Sequence, residues 1–419
     1  PPPGQRRRHR AMRRERGSGV LWRPAAAEER RYPYPYSVAP MMQVTDRHWR
    51  FMARGLSRRT LLYTEMYVDQ ALLHNSEALE GFLGHSPEEA PVAVQLGGNE
   101  PSALARATEL VVDYWGESCV EVNLNCGCPS HVVAGRNCFG ARLMTDPDLV
   151  RRIVHEMSRR SRGVPVTVKH RLGTDLSGAD YETTLAFCRA AKEGGARHFV
   201  VHARMAILGR RLSTEQNRSI PPLLPDVARR LAVDEPDCTF VLNGGLRSLE
   251  DCAAHLRDSP IVGAMVGRAA WTSPAALLAT ADTALLGAAV DPAPTPRDVI
   301  DRYADYADDR YHRSLDPNEA QALLKPLHHF FAGLRGNKLF RMSLVDAARQ
   351  IRFREDHPPS HHIANALRHI REDHLDAPFP LAPPPPDSPA SCPPPRSTAR
   401  TARPPRRCEG LPTLVAPQT

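Results

Sequence analysis

From Tyr36 onward the chain alternates short apolar, β-branched runs with stretches of helical periodicity. Strand candidates begin near Tyr36 (YSVAPM), Leu61 (LLYTEMY), Pro91 (PVAVQLGG), Cys119 (CVEVNLN), Val164 (VPVTVKHR), His198 (HFVVHAR), Cys238 (CTFVLNGG) and Ile261 (IVGAMVGR). Successive starts lie 23 to 45 residues apart, room for a strand, a helix and two loops. Thr145 with Asp148, and Ser248 with Asp251, carry the spacing of a helix-starting capping box. Eight β/α units in about 250 residues predict an α/β fold, a TIM (β/α)8 barrel, rather than a doubly wound sheet of five or six strands.

After Asp291 the strand signals stop. Thr295-Pro296-Arg297-Asp298 reads as an N-cap, an N1 proline and an acidic N3. Val299, Tyr303 and Tyr306 recur at helical spacing, and Leu323, Leu327, Phe330, Phe331 and Leu334 form a second apolar stripe. Residues 341–372 hold one or two more helices. The expected organisation is a tail over residues 1–35, a barrel over 36–290, a small all-α domain over 295–375 and a second tail over 376–419.

Charge and composition sharpen this division. The 419 residues carry a net charge of +8, but residues 1–31 alone hold +7 and residues 377–419 hold +3, leaving the body at about −2. Fourteen of the 40 prolines lie in the last 43 residues. Such Arg- and Pro-rich ends are expected to be disordered, because they cannot bury enough apolar surface to offset ordering entropy. Binding of polyanions through bulk charge is thereby disfavoured, and any basic surface on the body must be a local patch. Nine scattered cysteines do not read as a secreted disulfide framework. No apolar run approaches the roughly 20 residues of a membrane span. The leading stretch has the Arg-rich, acid-poor composition of an organelle transit peptide or of low-complexity sequence. A chloroplast or mitochondrion is the expected compartment, with the cytoplasm as the alternative.

The strand ends carry the candidate chemistry, since a TIM barrel collects its chemistry at the C-terminal ends of its strands. They read Met41-Met42, Glu65, Gln95-Leu96-Gly97-Gly98, Asn123-Leu124-Asn125, Lys169-His170-Arg171, His202-Ala203-Arg204, Asn243-Gly244-Gly245 and Gly267-Arg268. Any one of these is an ordinary solvated boundary; together they describe a polar, lined cup. Gly244-Gly245 and Gly267-Arg268 follow strands 7 and 8, where this fold commonly binds phosphate through glycine backbone and an arginine. Lys169 is one of only four lysines against 51 arginines, which argues for a compact point charge at that strand end. Cys128 lies on a Gly/Pro turn in Asn125-Cys126-Gly127-Cys128-Pro129, without a second Cys/His pair at zinc spacing, so a metal site is not expected. A thiol there, largely protonated at neutral pH, suits a proton donor.

These runs resemble those of the tRNA-dihydrouridine synthases. The likeness covers Val38-Ala39-Pro40-Met41, Leu61 and Tyr63-Thr64-Glu65-Met66, Gln95-Leu96-Gly97-Gly98, Asn123-Leu124-Asn125-x-Gly127-Cys128-Pro129-Ser130, Val166-Thr167-Val168-Lys169, His202-Ala203-Arg204, Asn243-Gly244-Gly245 and Val266-Gly267-Arg268. Asn217-Arg218 and Gly333-Leu334-Arg335-Gly336-Asn337-Lys338 look like the A-type branch, which reduces uridines 20 and 20a of the tRNA D-loop. The resemblance implies FMN in the barrel mouth, NADPH as electron donor and tRNA as partner, with no obligate protein partner and a monomeric chain. By motif, Pro40, Met41, Met42, Gln95, Lys169, His202, Asn243, Gly244, Gly245, Gly267 and Arg268 would bind the cofactor. Cys128 would be the general acid, and Asn125, Arg171, Arg218, Lys338 and Arg341 would touch tRNA. Met205 stands where the branch usually has a lysine, with Arg210 and Arg211 in a longer loop nearby, and Cys126 and Cys138 lie near enough in sequence to invite a disulfide with Cys128. Two rival readings remain at this point: an FMN barrel reducing a free pyrimidine or enone, and a non-catalytic tRNA-binding protein.

Overall fold

The computed structural model describes residues 20–22, 32–136, 138–175, 181–208, 212–314, 316–351 and 357–379. Most of both tails, with Arg210 and Arg211, lies outside the described residues. All eight expected strands form: β1 Tyr36–Val38, β2 Leu61–Val68, β3 Val92–Gly97, β4 Cys119–Cys126, β5 Val166–Arg171, β6 His198–His202, β7 Thr239–Asn243 and β8 Gly263–Val266. They pair in parallel in sequence order, and β1 closes on β8, making a barrel. Helices α1 (Arg47–Leu56), α2 (Pro101–Trp115), α3 (Pro147–Arg160), α4 (Tyr181–Gly194), α5 (Pro225–Asp234) and α6 (Leu249–Leu256) cover its outside.

Side chains alternate across each strand with a period of two. One phase (Val38, Leu62, Val94, Leu124, Val168, Val201, Leu242, Val266) joins the large core between barrel and helices. The other (Ala39, Leu61, Tyr63, Ala93, Val200, Val241, Met265) forms a separate, smaller cluster within the barrel. The inner phase is not wholly apolar: Gln95, Glu121, Asn123, Asn125 and Thr167 belong to it and are buried.

Local chemistry explains most helix starts. Ser248 accepts from the Asp251 amide, and Thr295, the expected N-cap, forms a reciprocal capping box with Asp298. The start expected at Thr145 is displaced by one residue: Asp146 caps α3 through the Leu149 amide, and the Thr145 hydroxyl turns back to the Arg142 carbonyl. The carboxylate is the stronger acceptor, and Pro147 then takes the N1 place.

The region beyond the barrel is all helical: α7 Pro296–Arg313, α8 Asn337–Ile351 and α9 Pro359–Leu367, with shorter turns between. It docks on α1, where Phe51 stacks on Tyr306 at 3.9 Å and 12°, and His48 Nδ1 lies 2.9 Å from the Tyr306 hydroxyl. The stripe from Leu323 to Leu334 is no continuous helix. A 3-10 turn over Lys325–His329 interrupts it at Pro326, which has no N–H to give a helical ladder. Leu323, Leu327, Phe330 and Phe331 are buried all the same.

The first tail also departs from expectation. Tyr32 is buried on the barrel floor, and the Leu21 and Trp22 amides donate to the Ala284 carbonyl at 3.1 and 3.2 Å. Aromatic side chains in an Arg-rich segment have the apolar area to dock where arginine alone does not.

A buried ion pair ties α1 to the segment before β3. Arg50 Nε donates to Glu89 Oε2 at 2.7 Å, and neither side chain is exposed. Arg50→Met should lower the unfolding free energy by about 3–5 kcal/mol, because the Glu89 charge is left buried without its partner. Adding Glu89→Gln should recover part of that loss. Denaturant titration of the three proteins checks the order, which fails if the double variant is the least stable.

Candidate active site

The mouth is built from the strand ends. At β4 the Asn125 Oδ1 accepts the backbone N–H groups of Gly127 and Cys128 at 3.1 and 3.0 Å, which folds the chain into the turn presenting Cys128. The Cys128 carbonyl accepts from the Ala141 amide at 3.0 Å. Burial raises the Cys128 thiol above its ordinary value, against the opposing pull of Arg171, Lys169 and Arg218, so the sulfur holds its proton at neutral pH. Cys126, two residues earlier, faces the outer core and is fully buried. Cys126, Cys128 and Cys138 form no disulfide.

Around Cys128 the field is cationic. Lys169, at the end of β5, donates to Asn243 Oδ1 at 3.0 Å, and Asn243 in turn donates to the Met265 carbonyl at 2.8 Å. Burial, then Arg171, pull the Lys169 ammonium down to about 7. His202, at the end of β6, is held well below its usual range by burial and by four cations: Arg171, Lys169, Arg204 and Arg268. It is therefore a neutral imidazole. Four cations thus converge on one neutral ring, a field that favours an anion in the mouth.

Backbone geometry opens the far wall. Gly244 and Gly245 take φ of +107° and +77°, and a Cβ on either would meet His202 Cδ2 at 2.7 Å or Leu223 Cδ2 at 2.4 Å. Glycine is thus required twice over, by conformation and by space. In front of Gly267 only the Ala39 Cβ comes near, at 3.7 Å. The exposed Arg268 donates to the Arg218 carbonyl, at 3.5 Å. Pro40 and Met41 line the neighbouring rim after β1, part-buried, and Met42 is exposed there.

A model of the family "Dihydrouridine synthase (Dus)" matches residues 37–365. The chain belongs to the dihydrouridine synthase family. Its relatives include the tRNA-dihydrouridine(20/20a) synthases of Pseudomonas putida, 48% identical over 60% of this chain and 71% of the relative, and of Synechocystis sp., 41% identical over 75% and 89%. The enzyme of the same name from Escherichia coli is 43% identical over 61% of this chain and 74% of the relative. This is an enzyme family, and the chain retains the cup of polar strand ends described above.

Two side chains expected to touch RNA are bonded to protein in this dihydrouridine synthase. Arg171 is buried; its guanidinium donates to the carbonyls of Gly127, Met205 and Asn217 at 3.0, 2.9 and 2.8 Å, clamping three mouth loops together. Asn125 is buried too, with both ends of its amide engaged by protein. Arg218 is part-exposed at the mouth, and Lys338 and Arg341 lie exposed on α8. Sequence reading named Asn123 and Thr167 but gave no role to them or to Glu121, and all three are buried beneath the mouth. Their period-two phase with Asn125 and Lys169 was the available signal.

The lowered Lys169 value makes a stability prediction for the ligand-free protein. Its folded value, about 7, lies below the ordinary 10.5. Below pH 7 the lysine is charged in both states and burial opposes folding in full; above 10.5 it is neutral in both and the penalty is gone. Stability relative to Lys169→Met should therefore rise with pH between about 7 and 10.5, by at most about 1.4 kcal/mol per unit. Denaturation of both proteins at pH 7 and 9 measures this, and a constant difference would contradict it.

Proposed function

We propose that this enzyme reduces the C5=C6 bond of uridine in the D-loop of tRNA, at positions 20 and 20a, to 5,6-dihydrouridine, using FMN and NADPH. The observation that carries the reading is Cys128, presented on the turn that Asn125 holds, among the cations Arg171, Lys169 and Arg218. The residues fit an anionic flavin nucleotide. Gly244, Gly245 and Gly267 offer backbone free of side chains, Arg268 has capacity for phosphate oxygens, and Lys169, Arg171, Arg204 and Arg268 converge on the neutral His202. Pro40, Met41 and Met42 supply apolar rim for the ring, while the buried Gln95 amide is engaged by Asn125 and Asn123 beneath it. FMN bound there and reduced by NADPH supplies a hydride for uracil C6.

The protein supplies the rest. Conjugation of C5=C6 with the C4 carbonyl makes C6 electrophilic and puts the developing negative charge on the C5–C4–O4 system. Cys128 delivers its Sγ proton to C5, which ends the reaction; a thiol whose value is raised by burial keeps that proton until the charge develops. Lys169 counters negative charge at the mouth. The target base must leave its stack to enter the cup. Arg218 at the rim, with Lys338 and Arg341 on one face of α8, would hold the phosphates. Exposed Leu339 and Met342 alternate with those two cations on α8 and offer apolar contact to sugar or base.

Three outcomes test this. Cys128→Ala should retain FMN and NADPH oxidation while losing about 10²–10⁴-fold in tRNA reduction, whereas Cys126→Ala, in the outer core, should lose far less; equal losses would remove Cys128 from the role. Arg268→Ala should weaken flavin retention, read by fluorescence titration, by the roughly 1.5–3 kcal/mol of a charge-assisted hydrogen bond. Replacing Lys338 and Arg341 together by Ala should lower the salt slope of tRNA affinity by about two, with turnover at saturating tRNA little changed. An unaltered slope would place the RNA elsewhere.

A further inference from the structure

We propose that Glu121 and Thr167, deep in the barrel, are positioning residues for Cys128, acting through a one-directional chain of side-chain hydrogen bonds. The proposal rests on the reading of Cys128 as proton donor. The chain starts at the mouth, where the Gly127 and Cys128 N–H groups can only donate, so the Asn125 oxygen must face them. The Asn125 nitrogen then faces Gln95 Oε1 at 2.7 Å, and Gln95 Nε2 faces Asn123 Oδ1 at 2.7 Å. Asn123 Nδ2 donates to Thr167 Oγ1 at 2.7 Å, and the hydroxyl passes its single proton to Glu121 Oε1 at 3.3 Å.

Every member is buried, so water offers no substitute partner. Barrel register enforces the sequence of contacts, because Gln95 pairs with Asn123 and Asn123 with Thr167 on adjacent strands. Reversing any one amide would set two N–H groups or two carbonyls against each other. The direction therefore has two fixed ends, backbone donors at the mouth and an accepting oxygen at Glu121. The carboxylate is anchored in turn by the hydroxyls of Tyr63 and Tyr32, the latter at 3.2 Å. What reaches the mouth is the placement of the Asn125 oxygen, and with it the turn that aims Cys128.

The accepting oxygen, not the charge, is the element required, which gives a sharp comparison. Thr167→Val and Glu121→Met remove a partner; Thr167→Ser and Glu121→Gln retain one. Each variant is labelled with [15N]cysteine, and exchange of the Cys128 amide is followed with the Cys119 amide as internal reference. Exchange at Cys128 should quicken by about tenfold or more in the first two and stay near wild type in the second two, the effect of losing one buried hydrogen bond. With FMN content retained, the rate at saturating tRNA should fall in the same two variants while KM for tRNA does not.

Unchanged Cys128 exchange in Thr167→Val overturns the proposal. So does a Glu121→Gln variant as disturbed as Glu121→Met, and so does faster exchange with turnover intact. If Glu121→Met fails to fold, the isosteric Thr167→Val decides alone. A wild-type protein that makes no dihydrouridine would instead refute the proposed function, and the exchange series would still report on the chain.

Discussion

A closed parallel barrel has no edge and admits little water, so each polar side chain pointing inward must find its partner on a neighbouring strand. The rest of the molecule is arranged around that constraint. The lower interior is filled by Leu61, Tyr63, Ala93, Val200 and Val241, and the upper interior by amides and hydroxyls that satisfy one another. Glu121 is pushed up to about 6 by burial, and its hydrogen bonds to Tyr63, Tyr32 and Thr167 oppose that rise. An ionisable group is tolerated inside the barrel because three hydroxyls replace its water.

The upper rim follows a different rule. Here cations are gathered around Cys128 and His202; burial first, and then the like charges, depress Lys169, His202 and Arg171. Arg171 offsets part of this by binding three carbonyls, so it stiffens the loops carrying Cys128, Met205 and Asn217. A field of this kind is relieved when an anion enters. The flavin phosphate and the RNA backbone are the two anions that the proposed reaction brings.

The helical region is coupled to the barrel through α1 and through the loops that follow β1 and β8. Tyr306 is the hinge of that contact, stacked on Phe51 and bonded to His48, while Arg47 and Arg310 share Glu80 across the boundary. Lys325 adds a hydrogen bond to the Gln43 carbonyl beside the exposed Met42. The proposed RNA contacts on α8 are thereby held at a fixed place relative to the rim, which a substrate that must present one base to the cup would need.

The strand order, the helical end and the polar strand ends were all legible in the sequence, because period, capping and turn chemistry are local. Ser248 and Thr295 cap as their spacing says, and the eight strands fall where the apolar runs do. Whether a polar residue faces a ligand or another residue is not local. Gln95 meets Asn123 across 28 residues, Tyr32 meets Glu121 across 89, and Arg171 meets Asn217 across 46. Those meetings depend on barrel closure and on register, and a slip of one residue would send every one of these side chains to the other face. The sequence therefore determined which residues could do chemistry at the strand ends. Only the tertiary structure separated Cys128, presented on its turn, from Asn125 and Arg171, buried behind it to hold that turn in place.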